Sequence, residues 1–411
     1  MRYFVMMLLV LASNFLTRSA STNSMRACVV MATDRLEIAP DENSGSSGAV
    51  RVQGVGLIHT EQVLSIDSAG RVRGNTTIEQ LGAILDRLEL ADEGTTKALD
   101  RCVKLNLYVR NDVDAAEVRS AIAARFRGRN KPATCYVTTE LPAPEARVAA
   151  DAVIAAHDPT RKGVGIRNSD GTRPATALLP TGGRAYVSGQ AESGDLATAT
   201  RKTLESLQAT LRFVDSDWSQ VVQLKAFLTP MQEVEPVRRE IQRFFGERTI
   251  PPLVYVQWFS SPTTPIEIEL VTAVRNRSLP QDAPRIEYLT PPGMTASPIF
   301  SRVARLVSDD VVYVSGLVGT SDSAEQQVRD VFLRLEELLK PVGGNLQQLV
   351  KATYYVTDDE VSRQLNLLRP SFYDPRRPPA ASKAVVSGVG VPGRTLAIDM
   401  IAIPGDTHKR P

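Results

Sequence analysis

The 411-residue sequence predicts an α+β protein built from three tandem copies of one unit. Three observations carry that expectation. At roughly 150 residues per domain, the length corresponds to about 2.7 folded units. Three short patterns recur in a fixed order along the chain. Within each recurrence, the apolar period switches between the three-to-four spacing of a helix and the two-residue alternation of a strand.

The first pattern is an alternating strand that ends in a turn: LIHTEQ from Leu57, AYVSGQ from Ala185 and VYVSGL from Val312. Matching Thr60, Ser188 and Ser315 gives separations of 128 and 127 residues (188−60, 315−188). A helix follows. In the second copy its apolar face is Leu196, Ala199, Thr203, Leu207 and Leu211, and in the third Val328, Val331, Leu335, Leu338 and Leu339. The second pattern is a β-rich run: VKLNLYV from Val103, VQLKAFL from Val222 and VKATYYV from Val350. These starts are 119 and 128 residues apart (222−103, 350−222), so the first copy carries extra residues before this strand. The Gly- and Ser-punctuated SIDSAGRVRGNTT, residues 65–77, is the natural place for them. A second helix follows, read in copy two from Val234, Val237, Ile241, Phe244 and Phe245. The third pattern is an aromatic at its end with a proline six residues on: Phe126 and Pro132, Phe245 and Pro251, Tyr373 and Pro379. A last strand alternates Ile266, Ile268 and Leu270 with Glu267 and Glu269.

These landmarks divide the chain into residues 25–157, the most divergent copy, then 158–275 and 276–404, joined by the polar, proline-containing DPTRKG and RNRSLPQDAP. Residues 1–24 stand apart. Arg2 precedes the apolar run Phe4 to Ala12, the length of a signal-peptide core and too short to span a bilayer. Export through this leader and a start at Met25 in the cytoplasm both remain open.

Composition narrows the function. Lys+Arg 48 against Asp+Glu 46 leaves a net charge of +2, too little asymmetry to attract a polyanion, so no nucleic-acid partner is expected. No run reaches the roughly 20 apolar residues of a membrane span, so no membrane partner is expected. Cys28, Cys102 and Cys135 have no C-x-x-C spacing, and His59, His157 and His408 lie far apart. Neither a disulfide framework nor a metal site is expected, and no cofactor.

The order YVSGQ, helix, GGNLQQLVKATYYV (Gly343 to Val356), aromatic helix end, proline, then PIEIELV or TLAIDMI resembles the RidA/YjgF family of reactive intermediate deaminases. The resemblance covers nearly the whole chain after residue 25. It implies chorismate-mutase-like α+β units whose sheets join in threes around a central β-barrel, with helices outside and ligand clefts between units. Three copies in one chain would build that trimer internally, as a monomer with pseudo-threefold symmetry. The implied ligand is a small molecule, a carboxylate or an imine. The implied chemistry is cofactor-free hydrolysis of enamine or imine intermediates to a carbonyl compound and ammonia.

The resemblance also assigns residues. The family's carboxylate-binding arginine falls on Thr134, Leu253 and Ala381, none of which makes that contact. The acid on the last strand, which would orient water, falls on Asp151, Glu269 and Asp399, the expected catalytic carboxylates. Ser188-Gly189 and Ser315-Gly316 keep a turn whose backbone can approach a ligand, while Thr60-Glu61 breaks it in the first copy. Phe300 replaces a tyrosine of the family, and Asn366 matches its cleft asparagine, with Arg119 and Arg238 in the corresponding positions of the other copies. These arginines either clamp a carboxylate or lie on a solvated helix face. Two functions remain in competition: an imine or enamine hydrolase with rebuilt clefts, and a catalytically silent binding or scaffold pseudo-trimer. An RNA-cleaving role, attached to the family by name, finds no basic patch and no acid/base histidine pair here.

Overall fold

The structure, a computed structural model, describes residues 34–67, 69–93, 97–259, 263–276 and 283–405. The leader at 1–24, the alternative start at Met25, Cys28 and His408 lie outside the described residues. The described residues belong to one compact unit.

One element order recurs three times. The first run is Leu57–Thr60, α1 (Thr77–Leu88), Cys102–Val109, α2 (Ala115–Arg125), Ala133–Thr138 and Val148–Ala155. The second is Arg184–Gln190, α3 (Leu196–Phe213), Val221–Leu228, α4 (Val234–Phe245), Leu253–Gln257 and Ile266–Ala273. The third is Val311–Val314, α5 (Ala324–Leu339), Leu349–Val356, α6 (Asp359–Leu368), Ala380–Val385 and Leu396–Ala402. Side chains fix where the longer helices begin. Thr76, Asp195 and Ser323 each accept a hydrogen bond from a first-turn N–H, and at α1 Glu79 reaches back to complete a capping box. The buried faces of α3 and α5 are those the periodicity predicts. The extra residues of the first run lie between Thr60 and Thr77, as the spacing requires.

Within each run the strand between the helices pairs in parallel with the strand after the second helix and antiparallel with the last strand. This is the geometry that helical crossovers impose. Three apolar clusters lie between each helix pair and its sheet.

The leading strands cross between runs. Thr176–Leu179 pairs with Leu57–Thr60 of the first run. Val303–Leu306 pairs with Arg184–Gln190 of the second, and Ser46–Gln53 with Val311–Val314 of the third. Each run therefore completes the sheet of another. The result is one sheet of thirteen strands and one of six.

These sheets do not close into the expected barrel. Ser47 pairs with Ala133 at one seam, and an isolated bridge joins Ser301 to Ala380 at the second. At the third, Pro174 occupies the position of Ser47 and Ser301, whose N–H groups donate to the Pro132 and Pro379 carbonyls, and its ring has no N–H to give. Side chains take over there, with Gln62 Nε2 donating to the Tyr255 carbonyl at 2.9 Å.

Candidate functional site

Every seam joins the end of one run's first strand to a strand of the next, and Ser188-Gly189 lies within the strand Arg184–Gln190, at a register irregularity, rather than in the predicted turn. Ser188 Oγ accepts from Ala381 N at 2.7 Å and donates to the Ser301 carbonyl, and Gly189 N donates to Ser382 Oγ at 3.0 Å. Ser315 Oγ accepts from Thr134 N at 2.8 Å and donates to the Ser47 carbonyl at 2.6 Å. The two serines thus satisfy seam backbone groups with their hydroxyls, and glycine follows because nothing larger fits. A Cβ on Gly189 would stand 1.8 Å from Glu267 Oε1, and one on Gly316 3.1 Å from Cys135 Cα.

Strand register corrects the match in the first run. His59 faces Val153, Tyr186 faces Val271 and Tyr313 faces Ile401, at separations of 127 residues each (186−59, 313−186). The counterpart of the Ser-Gly pairs is therefore Glu61-Gln62, one residue beyond the Thr60-Glu61 predicted. Gln62 N donates to the Leu253 carbonyl at 2.8 Å just as Gly316 N donates to that of Thr134 at 2.7 Å. Thr60 serves its own run, its Oγ1 accepting from Ala152 N at 2.9 Å.

The three predicted acids point into the interior. Lys351 Nζ donates to Glu269 Oε2 at 2.6 Å, and Lys104 Nζ lies 2.8 Å from Asp399 Oδ1. Asp151 accepts from Tyr108 OH at 2.6 Å and Asn106 Nδ2 at 2.9 Å. Burial holds the Asp151 carboxyl above the usual range, against the nearby Lys225 ammonium. Burial works to lower the Lys225 pKa, yet Tyr355 and the three acids hold it above the ordinary lysine value. Each acid is thus matched with a lysine of a different run.

The carboxyl that reaches a seam is Glu267, which sequence reasoning passed over. It lies partly exposed beside Gly189. Burial, reinforced by Glu269, pushes its pKa up to about 7, with the Ser382 hydroxyl, Lys351 and Arg302 opposing. Lys383 lies within the field of Glu267, and its Nζ donates to Ser362 Oγ at 2.7 Å. Burial and Arg369 lower the Lys383 pKa. Glu267 faces Phe227, while Ala149 faces Tyr108 and Ala397 faces Tyr355 at the equivalent ladder positions. Among the three runs only the second places a carboxyl there. Strand alternation alone puts Glu267 and Glu269 on one face. The distinguishing signal was that Glu269 has an acidic counterpart in each other copy and Glu267 has none.

The remaining candidates are dispersed. Arg238 pairs with Glu235 on its own helix and lies over the Tyr255 ring at 5.6 Å, at the seam of the first and second runs. Arg119 donates to the Gly390 carbonyl and so ties α2 to the third run. Asn366 Oδ1 accepts from Arg369 at 3.0 Å, and Arg302 covers Phe300 at 4.8 Å. The structure brings Ser188 and Gly189 together with Glu267 and Ser382, turns Lys383 toward Ser362 of α6, and does not bring Arg238 or Arg119 to them. No group of three His, Cys, Asp or Glu side chains among the described residues is placed to hold a metal ion. No described helix is long and apolar enough to cross a membrane.

Mixed sheets carrying paired helices on one face, with polar strand-to-strand seams between runs, define an α+β protein of the YjgF type. Residues 173–274 and 294–404 match the family profile described as Endoribonuclease L-PSP, and the chain belongs to that family. Solved structures similar to parts of it include NMB1025, a YjgF-family member from Neisseria meningitidis. It is 20% identical and covers 30% of this chain and 97% of its own, with a TM-score of 0.23. Rv2704 from Mycobacterium tuberculosis, of the YjgF/YER057c/UK114 family, is 29% identical over 23% of this chain and 78% of its own, with a TM-score of 0.22. Escherichia coli TdcF, solved with bound serine, is 24% identical over 23% of this chain and 83% of its own, again with a TM-score of 0.22.

Proposed function

We propose that the chain hydrolyses a small imine or enamine carboxylate at a single seam, between residues 158–275 and 276–404. The observation that carries this reading is Glu267, a carboxyl poised near neutrality beside Gly189 and the Ser382 hydroxyl. A base with that pKa is half-ionised at working pH and takes a proton from water efficiently. Hydroxide adds to the imine carbon and the proton returns to nitrogen. The carbinolamine then collapses to the carbonyl compound and ammonia, consuming one water. Arg302, whose charge acts on Glu267, supplies the positive charge for a substrate carboxylate that the resemblance leaves unassigned at Ala381. Asp151, Glu269 and Asp399 act on this reading as interior ion-pair partners.

The reading treats the three runs as a pseudo-trimer within a monomer, with small molecules rather than nucleic acid or membrane as partners. Ammonia release from freshly generated 2-aminoacrylate and 2-iminobutanoate tests it. Acceleration over buffer is expected for the native chain and its loss for Glu267→Gln, whereas equal rates with and without protein would end the hydrolase reading. A second reading, a silent binding scaffold, draws on Ala149 and Ala397 at the other two seams. It predicts ligand binding at the Glu267 seam without turnover.

A further inference from the structure

Beside the apolar clusters of the interior lies a cavity of about 50 Å³. Its walls include His59, Tyr186 and Tyr313, the three equivalent residues of the first strand in each run, together with Lys104, Lys225 and Lys351 and the Glu269 and Asp399 carboxylates that two of those lysines hold. Their polar atoms are unusually poorly served. Both ring nitrogens of His59 and the hydroxyls of Tyr186 and Tyr313 are buried without a well-formed hydrogen bond, although Gln223 lies by the imidazole and the two hydroxyls lie close to each other. Arg184 stands two residues before Tyr186 on the same face of its strand, wholly buried. Its Nε makes a long contact of 3.4 Å to the Gly182 carbonyl, while Nη1 and Nη2 have no partner. No carboxylate among the described residues pairs with Arg184, and its charge acts on both His59 and Tyr313.

Buried polar groups are almost always satisfied, and a buried guanidinium without a counter-charge is costly. Interior charges sharpen the point. Lys104, Lys225, Lys351 and Arg184 face Asp151, Glu269 and Asp399, leaving one cation over while the nearby Glu267, with its pKa at about 7, keeps its proton. Burial and Arg184 hold His59 neutral, its pKa near 3, so the ring offers an N–H donor without adding charge. A space of this size takes one or two species of water-like volume, about 30 Å³ each. Hydroxyl, imidazole and guanidinium groups supply donors that a monatomic anion accepts from without directional demands.

We propose that this chamber is a structural halide site, holding one chloride among Tyr186, Tyr313 and His59 under the field of Arg184. Glu267 itself does not line the chamber, although Glu269 and Lys351 of its wall act on that carboxyl.

The full chain, purified and crystallised throughout with bromide replacing chloride, tests it by anomalous scattering. A bromide peak against the Tyr186 and Tyr313 hydroxyls is expected. Water alone at that point, at saturating bromide, overturns the proposal. In solution the melting temperature rises with chloride or bromide over gluconate at equal ionic strength. Tyr313→Phe, which keeps the ring, weakens the halide response about tenfold to a hundredfold in concentration. Arg184→Met abolishes the response. If instead native and Arg184→Met proteins melt identically in halide and gluconate, no anion is held there.

Discussion

Glu267 and Glu269 share one face of one strand, yet their neighbours set them to opposite uses. Glu269 is a fixed countercharge for Lys351. Removing one member of such a buried pair strands the other, so Lys351→Met should cost about 3 to 5 kcal/mol in chemical denaturation. Lys351→Met combined with Glu269→Leu should recover most of that loss. Glu267 is the titrating group. Its native pKa near 7 lies above the ordinary 4.5, so between those values the folded protein keeps a proton that the unfolded chain has released. Stability should therefore fall as pH rises through that window, by about 1 to 3 kcal/mol, and Glu267→Gln should flatten the slope. Imine hydrolysis should run the other way and rise through pH 7 as the base form appears. A pH profile and denaturation at pH 5 and pH 8 check the two signs separately. The pair was visible in the sequence, but its division was not, because facing residues on other runs decide it.

At the scale of elements, the helices were the most legible feature and the seams the least. The periodicity locates α3, α4 and α5 correctly because each buries one stripe against a sheet, which demands a 3.6-residue pattern. The Ser-Gly counterpart of the first run was misplaced by one residue because Glu61-Gln62 carries no glycine to mark it. Only the facing of His59 to Val153 fixes its register. Ser188 tests how far a seam depends on one hydroxyl. Ser188→Ala leaves the Ala381 N–H and the Ser301 carbonyl without a partner and should cost about 1 to 3 kcal/mol. Thr76→Ala removes the capping box of a helix far from any seam and should cost about 1 kcal/mol. Denaturation midpoints compare the two directly, and ligand binding should respond to Ser188→Ala alone.

For the whole molecule, the exchange of leading strands is the governing feature. Thr176–Leu179, Val303–Leu306 and Ser46–Gln53 each lie on the sheet of another run, so no run keeps a complete sheet if the others are removed. Unfolding should be one cooperative transition, and a chain nicked within 158–163 should remain associated until denatured. Coincidence of fluorescence and circular dichroism transitions checks the first. Gel filtration of the nicked protein checks the second. Cys102 and Cys135 are buried, and desolvation pushes both thiols up to about 12. In a Cys28→Ser background, thiol labelling should therefore follow global unfolding, with no faster phase.

The sequence by itself determined the α+β class, the recurring order of elements, the helix faces and the family. Each rests on local periodicity or on spacing along the chain, which folding preserves. Only the tertiary structure decided which acid meets a seam and which meets a lysine, why the sheets stay open at Pro174, and that Arg184 lies buried beside two tyrosines and a histidine. Those outcomes depend on residues far apart in the sequence being brought into contact, and no local pattern encodes which of them will face each other.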